Sequence, residues 1–595
     1  MSFLKALFAS ILGFFIAMML ISLFSVIILI GIANSAATKE KVSIPSNTVL
    51  KLDLTSIPEY SAENPFLVFT GESPELTMRG YIQAIEHAKK DDRIKGIWML
   101  LGDYAGGWAQ AGELRDKLAD FKTSGKFIYA TSNVSGFDEV NYYIATSADT
   151  IVMNPAAGME MNGIFAGLSF FKPMLDRIGV TVGVARAGNF KSAVEPFVLD
   201  SASPDNKAMM TDLVTRIFSR FKIAVQESRK ISPESLEDIL NNRVMLTAEE
   251  AHGLGLIDGL MYDDEVDALI KRRVKRDSSR TAPVIEIDDY ADAELGAAGD
   301  NSSSDGEIAI VYAVGSIGAG ESHYSPNPLF GGEMIGSETF GEAMKNARED
   351  EDVKAVVIRI DSPGGDASAS EAMWREVVLT RQKKPVFVSM AGVAASGGYF
   401  IAAAADTIVA EPSTLTGSIG VFRLWFNTKR LFEQKIGINT QIIRTNPHAD
   451  IYSSARDAST PEMEIAERGV DSVYKTFLGV VAGGRHLSVD SVDRIAQGRV
   501  WTGEEGKQIG LVDELGGLER TLDIAAKRVG LKKGSYSLKI LPRPKPWIET
   551  IAERFGGSAS ALLGSRTPLD EYTTIIKALD ERTGVQARMN DLQLR

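Results

Sequence analysis

The sequence predicts an α/β protein built by tandem duplication of one unit and preceded by a single transmembrane helix. Three observations carry that reading. Two long stretches of the 595-residue chain align with each other at a nearly constant offset. Within each stretch, helical and extended patterns alternate. Ahead of both lies a long run without charge.

The run comes first in the chain. Between Lys5 and Lys39 stand 33 uncharged residues, most of them large and apolar from Ala6 to Ala33. About 20 such residues are needed to cross the hydrocarbon core as a helix. A cleaved signal peptide has an apolar region of only roughly 7 to 15 residues, so the small residues Ser35, Ala36 and Ala37 do not turn this run into one. It is expected to be an uncleaved anchor, with everything after about residue 45 on one side of the membrane, because no second apolar span follows. Lysines flank it at both ends, so charge does not fix its orientation.

The duplication is read directly from the residues. EVNYYIATSADTIVMNP (139–155) aligns with SGGYFIAAAADTIVAEP (396–412), placing Asp149 against Asp406 at an offset of 257. AIEHAKKDDRIKGIWMLLGDYAGG (84–107) answers AMKNAREDEDVKAVVIRIDSPGG (343–365), and NRVMLTAEEAHGLGLID (242–258) answers GRVWTGEEGKQIGLVD (498–513). In the second copy, Ala343, Met344 and Ala347 sit at helical spacing ahead of a β-branched run, Ala355 to Ile360, that ends in a glycine turn. A further strand is expected over Pro385 to Met390 and an apolar helix over Tyr399 to Ala405. Strands apolar on both faces imply a largely parallel, covered sheet. The domains expected are therefore an anchor over 1–38, a first repeat over 46–276, a linker over 277–306, a second repeat over 307–545 and a C-terminal tail over 546–595. The linker is polar and Gly/Ser-rich, the segment LPRPKPW closes the second repeat, and the tail is helical in pattern.

Composition narrows the function. A net charge of -14 argues against a phosphate-tracking surface, and no nucleic-acid partner is expected. The absence of cysteine removes disulfides, thiolate metal sites and a cysteine nucleophile. His87, His252, His323, His448 and His486 are scattered without metal-ligand spacing, so neither a metal nor a cofactor is expected.

The copies differ where chemistry would lie, and the differences are complementary. Ser396 stands in GVAASGGYF of the second copy, opposite Glu139 of the first; Lys191 stands in ARAGNFKSAVEPF of the first, opposite a lysine-free segment around His448. A serine hydroxyl becomes a nucleophile when a neighbouring base takes its proton, and a lysine serves as that base once burial has made its ammonium easy to deprotonate. Phe190, Ala193, Val194 and Phe197 supply apolar neighbours for Lys191. The turn Ser362-Pro363-Gly364-Gly365 has the form of a type II turn that leaves amides exposed, and Gly397 offers another amide at a helix start. Such amides suit a tetrahedral oxyanion. Each feature alone has a plainer meaning: Ser396 as an N-cap, Lys191 as a surface lysine paired with Glu195, SPGG as a turn. Asp149 and Asp406 occur in both copies and read as structural.

The run AASGGYFIAAAADTIVAEPSTLTGSIGV (394–421), the SPGG turn and NFKSAVEPF together resemble signal peptide peptidase A, or protease IV, in its long duplicated form. That resemblance implies a unit of the crotonase and Clp protease type, assembled as a homotetramer. It further implies a single-pass protein of the cytoplasmic (inner) membrane whose catalytic part faces the periplasm and degrades hydrophobic remnants of signal peptides. It implies Ser396 as nucleophile, Lys191 as general base, Ser418 as the residue that orients the lysine, and the amide of Gly365 as an oxyanion donor, alongside Gly364 and Gly397 from the reading above. Three rivals stand beside it: a Ser396–His448 pair oriented by Asp450, a crotonase-like enzyme acting on an acyl thioester without a serine nucleophile, and a membrane-tethered scaffold with a decayed site.

Overall fold

The computed structural model describes residues 43–60, 75–275, 283–295, 305–325, 332–542, 585–589 and 593–594, with five isolated positions before residue 20. The expected anchor over 1–38 and much of the linker and tail lie outside the described residues; within the expected linker, strand Val284–Glu286 and helix Ile287–Glu294 instead extend the first repeat, the strand pairing with Thr48–Asp53. Among the described residues no helix is long and apolar enough to cross a membrane.

Each repeat contains a run of six parallel strands in the same order, and the second sheet carries in addition Leu415–Gly417, parallel to Val386–Ala395, and Val500–Thr502, antiparallel to Leu415–Gly417. In the first the order is Val284–Glu286, Thr48–Asp53, Ile94–Leu101, Phe127–Ser132, Thr150–Met153, Gly259–Leu260, every pairing parallel. In the second the corresponding six are Ser537–Leu541, Glu307–Val314, Val353–Ser362, Val386–Ala395, Thr407–Ala410, Glu514–Leu515, each pairing among them again parallel. In both copies the last strand returns to pair with the first. The expected strand over Pro385 to Met390 continues through Ala395, and the apolar helix is shorter than its pattern, Gly397–Ala402.

Equivalent contacts recur at the sequence offset. Tyr142 Oη donates to the Leu256 carbonyl, and Tyr399 Oη to that of Leu511. Asp149 accepts from the Ile128 amide as Asp406 does from that of Val386. Both aspartates thus tie the start of one strand to the next connection. Helices Pro204–Arg229 and Thr460–Arg485, 26 residues each, cover matching faces. Pro near their first turn suits an N-terminus whose amides need no helical partner.

A third sheet joins the repeats. Its strand order is His323–Ser325, Gly332–Gly336, Ser316–Gly318, Gly364–Asp366, Val585–Arg588, Val421–Asn427, Thr181–Ala187. The last two, one from each repeat, run antiparallel with Val421 opposite Ala187 and Asn427 opposite Thr181. The strand Val585–Arg588 comes from the tail that the sequence pattern assigns to helix. Apolar packing also crosses the boundary: Ala395, Leu415, Val500 and Met589 belong to the same core cluster as the first repeat's sheet and helices. The halves therefore share a core as well as a sheet, and a loop of one is held against a strand of the other.

Candidate active site

The cross-repeat strand pair delivers Lys191 to Ser396. Four residues after Thr181–Ala187 the chain turns inward, and the Phe190 amide donates to the Gln497 carbonyl of the second repeat at 2.7 Å. Gly498, at φ +77°, makes this approach possible, because a Cβ there would lie 2.5 Å from the Lys191 backbone nitrogen. Lys191 is 1% exposed and Ser396 is 0% exposed. Their Nζ and Oγ lie 2.7 Å apart. The i, i+4 pairing of Lys191 with Glu195 does not form; Glu195 accepts instead from Ser203 and Asn206.

One turn holds both groups. The Ser396 amide donates to the Gly417 carbonyl at 2.8 Å. The next residue, Ser418, meets Lys191 Nζ with its carbonyl at 2.9 Å and its hydroxyl at 3.1 Å. Ser418 is itself anchored by donating its amide to the Arg499 carbonyl at 2.7 Å. Burial alone pushes the Lys191 pKa well below the ordinary lysine value. A neutral amine has a lone pair, and of the two hydroxyls in reach of it that of Ser396, at 2.7 Å, is the nearer.

Ser396 does not act as an N-cap. It precedes Gly397–Ala402 at φ +54° and ψ -115°, and its hydroxyl makes no capping bond. A backbone so placed costs on the order of 1 to 3 kcal/mol and persists only where the surroundings impose it. Here the Gly417 carbonyl on one side and the helix on the other impose it. In place of the expected turn, Pro363 alone separates strand Val353–Ser362 from strand Gly364–Asp366; Gly364, at φ +93°, begins the latter, and a Cβ on it would lie 2.5 Å from the Gly397 amide nitrogen. The strand start at Gly364 thus stands against the helix start beside the hydroxyl.

The first repeat lacks this arrangement. Glu139 occupies the place of Ser396, and its carboxylate accepts from the amides of Asn162 and Gly163 at 2.8 and 2.7 Å. His448, opposite Lys191 in the second repeat, is half exposed and bonds Glu462 at 3.1 Å, while Asp450 is engaged by Arg444 and Arg456. Neither takes part in the contacts around Ser396.

Two supporting residues escape a reading by motif. Arg359, fully buried in strand Val353–Ser362, donates to Glu59 and Glu113 of the first repeat and to Ser389. Asp361 accepts from the Val393 amide at 2.9 Å, pinning the strand that leads into Ser396; burial, then the Glu59 charge, pushes its carboxyl up to about 6. Two charges ending an apolar strand beside SPGG were the available signal.

Comparison with known proteins matches the chain to a family. The profile described as peptidase family S49 matches twice, over residues 121–276 and 379–532. That of Clp protease matches residues 339–414. The chloroplastic serine protease SPPA of Arabidopsis thaliana is 34% identical over 507 residues, 85% of this chain and 73% of that one. Protease 4 of Salmonella typhi is 32% identical over 537 residues, 88% and 83% of the two chains. Protease 4 of Haemophilus influenzae is 33% identical over 462 residues, 76% and 72% of the two. With two matched units and such relatives over most of its length, the chain belongs to peptidase family S49 as a serine peptidase of the signal peptide peptidase A type.

Proposed function

We propose that the chain is a membrane-anchored endopeptidase that degrades cleaved signal peptides with a Ser396–Lys191 dyad split between its two repeats. The observation that carries this reading is the 2.7 Å separation of Oγ and Nζ in a fully buried setting. The neutral Lys191 amine accepts the Ser396 proton as the oxygen attacks a peptide carbonyl. The amides of Gly365 and Gly397 receive the oxyanion, with Gly364 shaping the strand start that presents them. The lysine ammonium passes its proton to the leaving amine, and a water repeats the cycle to free the acyl group.

Ser418 is a positioning residue in this scheme. Its hydroxyl and carbonyl hold Nζ on the side of Ser396 without competing for the substrate. Substrates are apolar and extended, since the walls beside the amine include Phe190, Met209, Met210, Val500 and Met589, with Arg588 the one charged lining residue besides Lys191. Residues 1–38 would hold the peptidase at the cytoplasmic membrane, where such peptides are left, with the repeats on the periplasmic side and assembled as a homotetramer.

A serine-directed acylating probe tests the reading. The expected result is labelling at Ser396 in the parent protein and none in Lys191→Met. Equal labelling of both proteins would remove the dyad.

A further inference from the structure

Lys191 belongs to the first repeat, yet a short segment of the second, Gln497-Gly498-Arg499, holds the loop that carries it. Gln497 accepts the Phe190 amide with its carbonyl, and Gly498 lies under the Lys191 backbone. Arg499 reaches the amine from two directions. Its carbonyl accepts the amide of Ser418, the residue that meets Lys191 Nζ. Its side chain lies against the ring that precedes Lys191: the guanidinium carbon is 5.4 Å from the centre of Phe190 and 4.3 Å from that of Trp501.

The rings, more than hydrogen bonds, account for where this guanidinium sits. Nη2 pairs with Asp212 of the first repeat's helix Pro204–Arg229 at 3.0 Å, but Nε is buried and has no hydrogen-bond partner among the described residues. A stranded buried N–H costs stability, so another interaction must fix the orientation. A cation against aromatic faces supplies it, and a planar guanidinium stacks where an ammonium does not. Trp501 is fixed in turn, its indole N–H donating to the Ile495 carbonyl at 2.9 Å.

The first repeat shows the same segment with no lysine to hold. Arg243 stands in its NRV as Arg499 stands in GRV, and it is exposed. Strand Met245–Thr247 sets Leu246 opposite Met159, the place where Val500–Thr502 sets Trp501 opposite Thr416. The ring, the positive-φ glycine and the enclosed arginine thus occur together only in the copy that receives the lysine loop.

We propose that Arg499 is a positioning residue for the reaction: stacked on Phe190 and Trp501, it clamps the lysine loop of the first repeat to the second and keeps water from the amine. The inference rests on the Ser396–Lys191 reading. Lys191 owes its depressed pKa to burial alone, so whatever closes the loop over it also sets the pH at which it becomes a base. The charged groups around that loop are Arg186 and Glu195 on its own stretch, Asp212 beside Arg499, and Arg588 in the cavity wall. Both carboxylates are paired, Glu195 with Arg186, Ser203 and Asn206, and Asp212 with Arg499 and Arg216. What Arg499 controls is therefore the enclosure of the amine.

The test is the pH profile of kcat/KM on an added apolar peptide for the full chain, Arg499→Ala, Phe190→Leu and the two combined, each with a melting curve. In Arg499→Ala the rising limb is expected to move toward the ordinary lysine value by about one pH unit, so that activity is about tenfold lower below the limb and approaches the parent's above it. Phe190→Leu is expected to move the limb in the same direction, and the double variant no further than Arg499→Ala alone, because both changes remove one contact. A loss equal at every pH, an unmoved limb, or shifts that add in the double variant overturns the proposal and leaves the dyad standing. If Arg499→Ala does not fold, Phe190→Leu alone decides: a limb moved up supports the clamp and an unmoved one overturns it. Hydrolysis at the parent rate in Lys191→Met would instead remove the dyad on which the proposal rests.

Discussion

Arg359 of the second repeat and Glu59 of the first form a buried two-pronged ion pair, Nε to Oε2 at 2.9 Å and Nη2 to Oε1 at 3.0 Å. Glu113 accepts from the same Nη2 at 2.7 Å and also from the Leu518 amide. The guanidinium thus fastens the repeats together directly beneath the strand that ends in SPGG. Removing it leaves two carboxylates in a dry setting, which costs about 3 to 5 kcal/mol for a broken buried pair. Arg359→Met is expected to lower the melting temperature measurably. Adding Glu59→Gln and Glu113→Gln to that variant should recover most of the loss, because the uncompensated charges are then gone. A single variant as stable as the parent would mean the network does not join the halves.

On the proposed dyad, the pH dependence of peptide hydrolysis follows from Lys191. The base works only when neutral, and burial pushes its pKa well below the lysine value of 10.5. Activity is therefore expected to fall as pH drops through this depressed value and to be full above it. A rising limb that instead appears at the ordinary lysine value would show the amine to be solvated during catalysis. The kcat/KM profile in a series of buffers decides this.

Gly364 has no room for a side chain and sits at a positive φ of 93°. Its added Cβ in Gly364→Ala would press on the Gly397 amide, displacing a donor that the proposed mechanism assigns to the oxyanion. The expected effect is a fall in kcat of about 10² to 10³, the usual consequence of losing one such donor. Steady-state kinetics beside a melting curve separate this from unfolding. Unchanged kcat would take these amides out of the mechanism.

His448→Ala is expected to leave hydrolysis near the parent rate, because the ring bonds Glu462 and stands half exposed. Loss of activity in that variant, with the fold intact, would revive the serine–histidine rival.

Much of this arrangement was legible in the residues. The offset between Asp149 and Asp406 gave the duplication, and the complementary gaps at Glu139 and His448 pointed to a site shared between copies. Those signals are local and repeat, so one sequence suffices to read them. The parts that were not legible depend on long-range pairing. Nothing in the periodicity of the tail separates Val585–Arg588 from the helical pattern of the sequence around it, because a short strand is specified by the two edges that receive it. Arg359 and Glu59 are 300 positions apart, and only folding makes them partners. Gly498 likewise reads as an ordinary turn glycine until the Lys191 backbone is laid against it.

The measurement that bears most directly on the split dyad is kcat/KM for an apolar peptide in Lys191→Met, which keeps the side chain's bulk and removes its amine. The expected result is a loss of about 10³-fold or more at every pH, with the melting temperature preserved. Hydrolysis at the parent rate in a folded Lys191→Met protein would contradict the assignment of this amine as the base for Ser396.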